Sequence, residues 1–121
     1  MKPGRVCILL AGRRAGKKAI IVKQNDDGKR KRKFGHALVV GLERSPKAIS
    51  KKMSETKIKR KVQHLKPFVK FVNNNHLLPT RFMVKDDSQF DFKAQITEDA
   101  WDNKEDRKKI IKDVRNKMVE R

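Results

Sequence analysis

The apolar residues of this chain are gathered into short runs, separated by polar segments. Three runs, at residues 6–11, 19–22 and 37–42, are almost entirely aliphatic, and two of them are rich in β-branched residues. Short apolar runs bounded by glycine or charge are typical of buried β-strands, because helices need longer periodic stretches. Residues 68–72 and 81–84 alternate more loosely and predict two further short strands.

The glycines are concentrated in the part of the chain that contains the three aliphatic runs. All six lie within the first 41 residues. Glycine adopts the positive φ values that tight turns require, so turns are expected at residues 12–16 and near Gly28. Several short strands joined by such turns indicate a small β-barrel.

The C-terminal part changes to a helical pattern from Asn103 onward. Ile111, Val114 and Met118 recur at helical spacing, and Asn103 can cap the first turn. Acidic residues precede basic ones, which matches the helix dipole. Trp101 lies just before this segment and is expected to anchor the helix to the barrel.

The predicted fold class is mainly β with an α extension: a small barrel, basic loops and a C-terminal α-helix. Residues 1–84 are expected to form the barrel with a basic insertion at 44–66, and residues 85–121 an acidic linker and the helix. Ile49 and Met53 are spaced i, i+4, so residues 47–54 predict either a short helix or a basic loop with one helical turn. Residues 73–80 are rich in turn formers and are expected to connect the last two strands.

The net charge of the chain narrows the possible classes of function. The 121 residues contain 33 Lys and Arg against 14 Asp and Glu, a formal net charge of +19. The basic excess is concentrated in residues 1–33 and 44–66, whereas residues 85–106 are acidic. A chain of this charge repels itself and needs either an anionic partner or a fold that tolerates the repulsion. Nucleic acid is the leading candidate and an anionic membrane surface the second, although the N-terminal part shows no basic amphipathic helix.

Several classes of protein are disfavoured. Cys7 is the only cysteine and cannot form a disulfide within the chain. The longest apolar runs have about six residues, whereas a membrane-spanning helix needs about 20, and no signal peptide is visible. An intracellular protein bound to a polyanion is the class that remains.

No motif predicts a catalytic, metal or cofactor site. Residues 12–18 suggest a phosphate-binding P-loop, but three residues separate the glycines where four are needed, and Lys18 replaces the magnesium-binding Ser or Thr. His36, His64 and His76 are far apart and lack the paired spacing of zinc ligands. The acidic residues of 86–106 are expected to form a solvated face, and Cys7 to be a buried apolar residue.

The aromatic residues suggest how nucleic acid would be recognised. With six Phe, one Trp and no Tyr, the chain lacks the clustered aromatic–glycine signature of base-stacking platforms. Recognition is therefore expected to rest on phosphate contacts and RNA shape.

Residues 29–33 form a basic run that is expected to contact phosphate and that also suits a nuclear import signal. The expected phosphate contacts are Arg13, Arg14, Lys17, Lys18, Lys29, Arg30, Lys31, Arg32, Lys33, Lys51, Lys52, Lys57, Lys59, Arg60 and Lys61.

A specific resemblance joins these features. Residues 2–6, 10–13 and 15–23 look like a KOW motif in its SH3-like barrel. Residues 26–28, 36–42 and 68–70 follow in the same order, with Asn75, His76 and Leu77 and then Pro79, Thr80 and Arg81. This series resembles the eukaryotic large-subunit ribosomal protein twenty-seven family, chiefly over residues 2–84.

The resemblance implies a structural protein of the large (60S) ribosomal subunit that binds and stabilises folded ribosomal RNA, supports translation and has no catalytic site. The implied partners are ribosomal RNA and neighbouring ribosomal proteins, with no membrane, cofactor or small-molecule substrate. The implied location is the cytoplasmic ribosome, after nuclear or nucleolar transit. Ribose or base-edge contact is expected at Asn73, Asn75, His76 and Arg81. His36 is also included among the expected RNA contacts, with a structural role as the equally open alternative.

Other functions share some of these features. A KOW-type transcription or RNA-processing factor would share the barrel, although it usually belongs to a longer chain. A DNA-compacting protein would share the charge, but it has no need of a strand-and-turn core. An enzyme is the third alternative, but substitution of every His and Cys is expected to leave any measured activity unchanged.

Overall fold

The computed structural model describes residues 1–29, 31–84 and 96–119. Its strands and helices follow the apolar runs closely. The elements are β1 (Arg5–Leu9), β2 (Lys18–Asn25), β3 (His36–Arg44), α1 (Glu55–Val62), β4 (Lys66–Asn73), a 3-10 turn (Asn74–His76), β5 (Leu77–Met83), α2 (Glu98–Asp102) and α3 (Lys104–Val119).

The five strands form one antiparallel sheet in the order β4-β3-β2-β1-β5. β4 and β5 are the two edge strands, yet only the 3-10 turn Asn74–His76 joins them. So short a connection between opposite edges requires the sheet to curl until its edges meet at this corner, which is the geometry of a small barrel. The prediction of a mainly β fold, a small barrel with an α extension, is confirmed.

The continuous apolar run of β3 is explained by burial on both of its faces. Ala37 and Val39 point into the barrel, where they join a cluster with Cys7, Ile21 and Phe68. The alternate residues Leu38 and Val40 point outward and belong to a second cluster with Trp101, Ile110 and Val114. A strand covered on both sides reads as a continuous hydrophobic stretch, whereas a strand with one solvated face alternates.

The C-terminal helices cover the outer face of the barrel. The indole of Trp101 packs edge-on against Phe71 of β4, with ring centroids 6.3 Å apart. Arg107 Nε and Nη2 donate to the carbonyl oxygen of Trp101 at 3.0 and 2.8 Å, which fixes the junction between α2 and α3. Asn103 Oδ1 accepts from the backbone N of Glu105 at 3.1 Å and caps α3. The expectations of an Asn103 cap and a Trp101 anchor are confirmed.

The structure decides between the two alternatives for one segment and differs from the sequence-based expectation in others. Residues 47–54 are not a helix: the segment contains one turn, closed by a hydrogen bond from Met53 N to the Ser50 carbonyl oxygen, so the alternative of a loop with one turn is confirmed. The helix of the basic insertion begins only at Glu55, after Ser54 in extended conformation. β5 begins at Leu77, four residues earlier than expected, because Leu77 fills the barrel interior and pairs with Leu9.

Candidate nucleic-acid interface

The β1–β2 turn presents three of the expected cations to solvent. Gly12 and Gly16 have φ values of 85° and 78°, and Gly16 N donates to the Leu9 carbonyl oxygen at 2.7 Å to close the turn. Positive φ at both positions suits glycine and disfavours other residues. Arg13, Lys17 and Lys18 are exposed around this turn.

Arg14 differs from its neighbour Arg13 because it is part of the fold. Its guanidinium lies 4.9 Å from the centroid of the Phe68 ring and 3.7 Å from the carboxylate of Glu43. Lys66 Nζ lies 3.2 Å from the same carboxylate. This hydrogen-bonding contact with Lys66, aided by the charges of Arg14 and Arg13 and opposed by partial burial, holds the pKa of Glu43 below its ordinary value. Arg14 is therefore packed against the barrel and stabilises the turn, whereas Arg13 extends into solvent.

The β2–β3 loop carries the second group of cations. Lys29 N and Arg32 N donate to each other's carbonyl oxygens at 2.8 and 2.6 Å, which forms a tight hairpin tip. Lys31 Nζ lies 2.8 Å from Asp102 Oδ2, and this hydrogen bond lowers the pKa of the Asp102 carboxyl. Arg32 stacks 4.2 Å from the centroid of the Phe71 ring. Lys29 and Lys33 are exposed, and Arg30 lies outside the described residues.

The 3-10 turn Asn74–His76 connects the two loops. Its Asn74 N donates to the Gly35 carbonyl oxygen at 3.1 Å, and Leu10 N donates to the His76 carbonyl oxygen at 2.9 Å. Within the turn, Asn73 Oδ1 accepts from Asn75 N at 3.0 Å. The side chains of Asn75 and His76 are exposed. Three of the four predicted ribose contacts, Asn73, Asn75 and His76, therefore lie at a turn that is hydrogen-bonded to both basic loops.

The structure corrects the expectation that the His36 side chain contacts RNA. Its side chain is only 1% exposed. One ring nitrogen, Nε2, lies 3.2 Å from Asn25 Nδ2, and the other, Nδ1, lies 3.0 Å from the Phe34 carbonyl oxygen. Phe34 and Phe71 flank the ring edge-on. His36 has a structural role at the start of β3, and we remove it from the expected RNA contacts.

A third basic surface comes from the insertion between β3 and β4. Lys57, Lys59 and Arg60 are exposed on α1. Lys61 is half-buried, and its Nζ donates to the Ala48 carbonyl oxygen at 2.6 Å, so it holds the preceding loop against α1. The turn before α1 exposes Lys51 and Lys52.

The edge strand β5 adds Arg81, which is exposed and lies 5.2 Å from the centroid of the Phe82 ring. Phe82 and Leu78 on the same strand are 60% and 49% exposed.

Lys70 of β4 is an exposed cation that sequence reasoning missed. Its Nζ lies close to Gly12, at 3.6 Å from the position that a Cβ on that glycine would take. Its position within a strand-like pattern concealed that it reaches the β1–β2 turn.

A shallow cleft of about 670 Å³ lies on the outer face of the sheet. Its lining is mainly aliphatic and also includes Lys17, Lys18 and Glu43. Within residues 1–29, 31–84 and 96–119, no three His, Cys, Asp or Glu side chains are grouped to hold a metal ion. Asp86, Asp87 and Asp91 of the predicted acidic segment lie outside those ranges. No helix in the described part of the chain is long and apolar enough to span a membrane.

Comparison with known proteins gives one consistent result. The model of the Ribosomal L27e protein family matches residues 6–121. The large ribosomal subunit protein eL27 of Tetrahymena thermophila is 53% identical over 103 residues, which cover 85% of this chain and 69% of that protein. The eL27 of Caenorhabditis elegans is 41% identical over 121 residues, covering 100% and 86%, and eL27B of Saccharomyces cerevisiae is 40% identical over 115 residues, covering 93% and 82%. A match over nearly the whole chain shows that this protein belongs to the Ribosomal L27e family.

Proposed function

We propose that this protein is a structural constituent of the large ribosomal subunit, where its basic loops bind and stabilise folded ribosomal RNA. Its role is to bind the RNA and hold it folded, and it catalyses no reaction. Its other partners are neighbouring ribosomal proteins. It resides in cytoplasmic ribosomes, after passing through the nucleus and nucleolus during assembly.

Family membership carries the first half of this proposal, since the relatives are named as large-subunit ribosomal proteins. The binding of folded RNA by the basic loops is supported by the 3-10 turn Asn74–His76, which links those loops. Hydrogen bonds from Asn74 N to Gly35 and from Leu10 N to His76 hold the β1–β2 and β2–β3 loops to one turn. The cations of these two loops are thereby fixed relative to one another and to Asn75.

Such an arrangement suits folded RNA. Phosphate groups in folded RNA are brought close together from different helices, and a rigid barrel with cations on several loops matches that distribution. Asn75 and His76 provide hydrogen-bonding side chains between the cations, where a ribose 2′-hydroxyl or a base edge can be reached. The sequence lacks the clustered aromatic–glycine signature of a base-stacking platform, so the proposal assigns recognition to the shape of the RNA backbone.

Equilibrium binding tests this proposal. The probe is deproteinised large-subunit ribosomal RNA of Tetrahymena thermophila, divided into overlapping fragments, and the competitor is duplex DNA of equal length. We expect at least one fragment to bind about tenfold or more tightly than the duplex at the same salt concentration. Equal affinity for all fragments and for DNA would overturn RNA-specific binding and favour a DNA-compacting protein.

A matched pair of variants locates the contacts. Arg13, Lys17 and Lys18 are changed together to Gln in the first variant, and Lys2, Lys23 and Lys109 in the second, so both lose three charges. All six side chains are exposed. The first variant is expected to weaken binding to the preferred fragment much more than the second. Equal losses would mean that net charge alone governs binding and would contradict a role for the β1–β2 turn.

A further inference from the structure

The two sides of helix α3 differ sharply in character. Ile110 and Val114 are buried against the barrel and Trp101. Lys104, Lys108 and Lys112 recur every four residues and are all exposed. At 1.5 Å per residue, successive lysines of this set lie about 6 Å apart along the helix axis. We call Lys104, Lys108 and Lys112 the lysine stripe.

Helical geometry places the stripe away from the buried face. With 3.6 residues per turn, the three lysines span an arc of roughly 80° around the axis, and Ile110 and Val114 lie on the other side of the helix. No carboxylate falls within that arc, because Glu105 lies just beyond it and Asp106 further round. Lys109 is outside the arc and has its own partner, Asp106, at 3.7 Å.

Among the residues that the structure describes, the stripe has no charge-compensating partner. None of its lysines forms an ion pair with another residue in the described ranges. Lysines at i, i+4 repel one another and weaken an isolated helix. A solvated helix face commonly mixes charges of both signs for this reason. A row of one sign in a chain of net charge +19 therefore indicates an anionic partner.

The ends of α3 lie beside two of the basic surfaces described above. Just before its first turn, Asp102 Oδ2 accepts from Lys31 Nζ of the β2–β3 loop at 2.8 Å. In its last turns, Arg115 Nη2 donates at 2.6 Å to the carbonyl oxygen of Gln63, the residue that follows α1. The helix thus runs from the loop that contains Lys31 and Arg32 to the helix that contains Lys57, Lys59 and Arg60.

We propose that the lysine stripe binds the sugar–phosphate backbone of ribosomal RNA and joins the β2–β3 loop and α1 into one continuous RNA-binding track. This inference rests on the proposed function, which supplies the RNA partner. An acidic protein surface would also attract the stripe. RNA is favoured because α3 links two surfaces that are themselves strongly basic, so one polyanion can follow all three. Such contacts would be independent of base sequence, because lysine neutralises phosphate without reading base edges.

Salt dependence provides the test. Lys104, Lys108 and Lys112 are changed together to Gln, which preserves helix propensity. The charge-matched control again changes Lys2, Lys23 and Lys109. Binding of both variants and the parent to the preferred fragment of Tetrahymena ribosomal RNA is measured over a range of KCl concentrations. Far-ultraviolet circular dichroism verifies that the helix content is unchanged.

Each neutralised phosphate contributes about 0.7–0.9 to the slope of log K against log salt, so loss of three contacts is expected to reduce its magnitude by about 2–3. The control is expected to reduce it by less than about 1. Equal slopes for the two variants would overturn the stripe proposal and leave the proposed function intact, provided that the parent still prefers ribosomal RNA to duplex DNA. Loss of that preference in the parent would instead refute the proposed function. An unchanged slope together with failed incorporation into large subunits would assign the stripe to a protein partner and would also overturn the proposal.

Discussion

The ring of Phe68 lies so close to Gly41 that no side chain fits between them. The two residues are paired across β3 and β4. A Cβ placed at Gly41 would lie 2.6 Å from Phe68 Cζ and 2.6 Å from the carbonyl oxygen of Lys18 on β2. Both distances are far shorter than an ordinary van der Waals contact. Gly41 therefore allows three strands to approach around a buried aromatic ring at the base of the β1–β2 turn.

Substitution of Gly41 by Ala is expected to destabilise the protein by about 1–3 kcal/mol, because the added methyl overpacks the barrel. The free energy of unfolding is measured by urea denaturation. Phe68→Leu provides the matched test, since a smaller side chain makes room for the methyl. The double variant should lose less stability than the sum of the two single changes. Additive losses would show that Gly41 and Phe68 do not compete for the same space.

Replacement of Trp101 by Ala is expected to release α2 and α3 from the barrel and to cost about 3–5 kcal/mol. The indole is 9% exposed and joins Phe71 to Ile110 and Val114 within one cluster. Hydrogen exchange followed by mass spectrometry distinguishes local undocking from general unfolding. Amides of residues 104–119 should lose protection, whereas those of β1 and β2 should retain most of theirs. Trp101→Phe should have an intermediate effect, and unchanged protection of α3 in Trp101→Ala would contradict the anchoring role.

Arg13 and Arg14 are adjacent in sequence but are expected to respond differently to substitution by Gln. Arg14→Gln removes the contacts with Phe68 and Glu43 and should cost about 1 kcal/mol of stability. Arg13→Gln should leave stability within about 0.5 kcal/mol of the parent, since the side chain is exposed. Its effect should appear in RNA binding, as a reduction of the salt slope by about 0.7–0.9. The reverse assignment of the two effects would contradict the described turn.

Cys7 is expected to be unreactive in the folded protein. Its side chain is fully buried in the barrel, and burial raises the pKa of the thiol to about 11. At pH 8 only about 0.1% of such thiols are ionised, and the thiolate is the reactive form. A disulfide reagent should label Cys7 slowly in buffer and rapidly in denaturant. Fast labelling under native conditions would show that the barrel opens readily.

The same shift has a consequence for stability. The pKa of Cys7 is raised on folding, so its contribution is fully present below the unfolded pKa near 9 and is lost as pH rises toward 11. Lysines also titrate in this range, so Cys7→Ala is the control. Between pH 9 and 11, the parent should lose stability more steeply than the variant. Parallel curves would show that the thiol titrates alike in the folded and unfolded chains.

Local pattern predicted the strands well and the connections less well. The run at residues 37–42 identified β3 because burial on both faces leaves a continuous apolar stretch. The start of β5 was missed because residues 77–80 contain Pro79 and Thr80, which suit turns. Leu77 and Leu78 are nevertheless held in a strand by pairing with Leu9 and Ile8. That pairing depends on the curling of the sheet, which local sequence does not reveal.

The candidate contacts show the same division. Glycine-bearing turns correctly predicted exposed cations such as Lys17 and Lys18. Charge alone could not separate Arg13 from Arg14, because the difference comes from Phe68 and Glu43, which are far away in sequence. Residue type alone makes His36 a candidate contact, and only the packing of Phe34 and Phe71 around it reveals its structural role.

Co-sedimentation tests the central claim most directly. A tagged form of the chain is expressed in Tetrahymena thermophila, and lysates are centrifuged through sucrose gradients in about 0.5 M KCl, which screens loosely held charge. The proposed function predicts that the chain sediments with large subunits and intact ribosomes and remains with large subunits when the two subunits are separated. Recovery at the top of the gradient, or only in complexes with RNA polymerase, would contradict it.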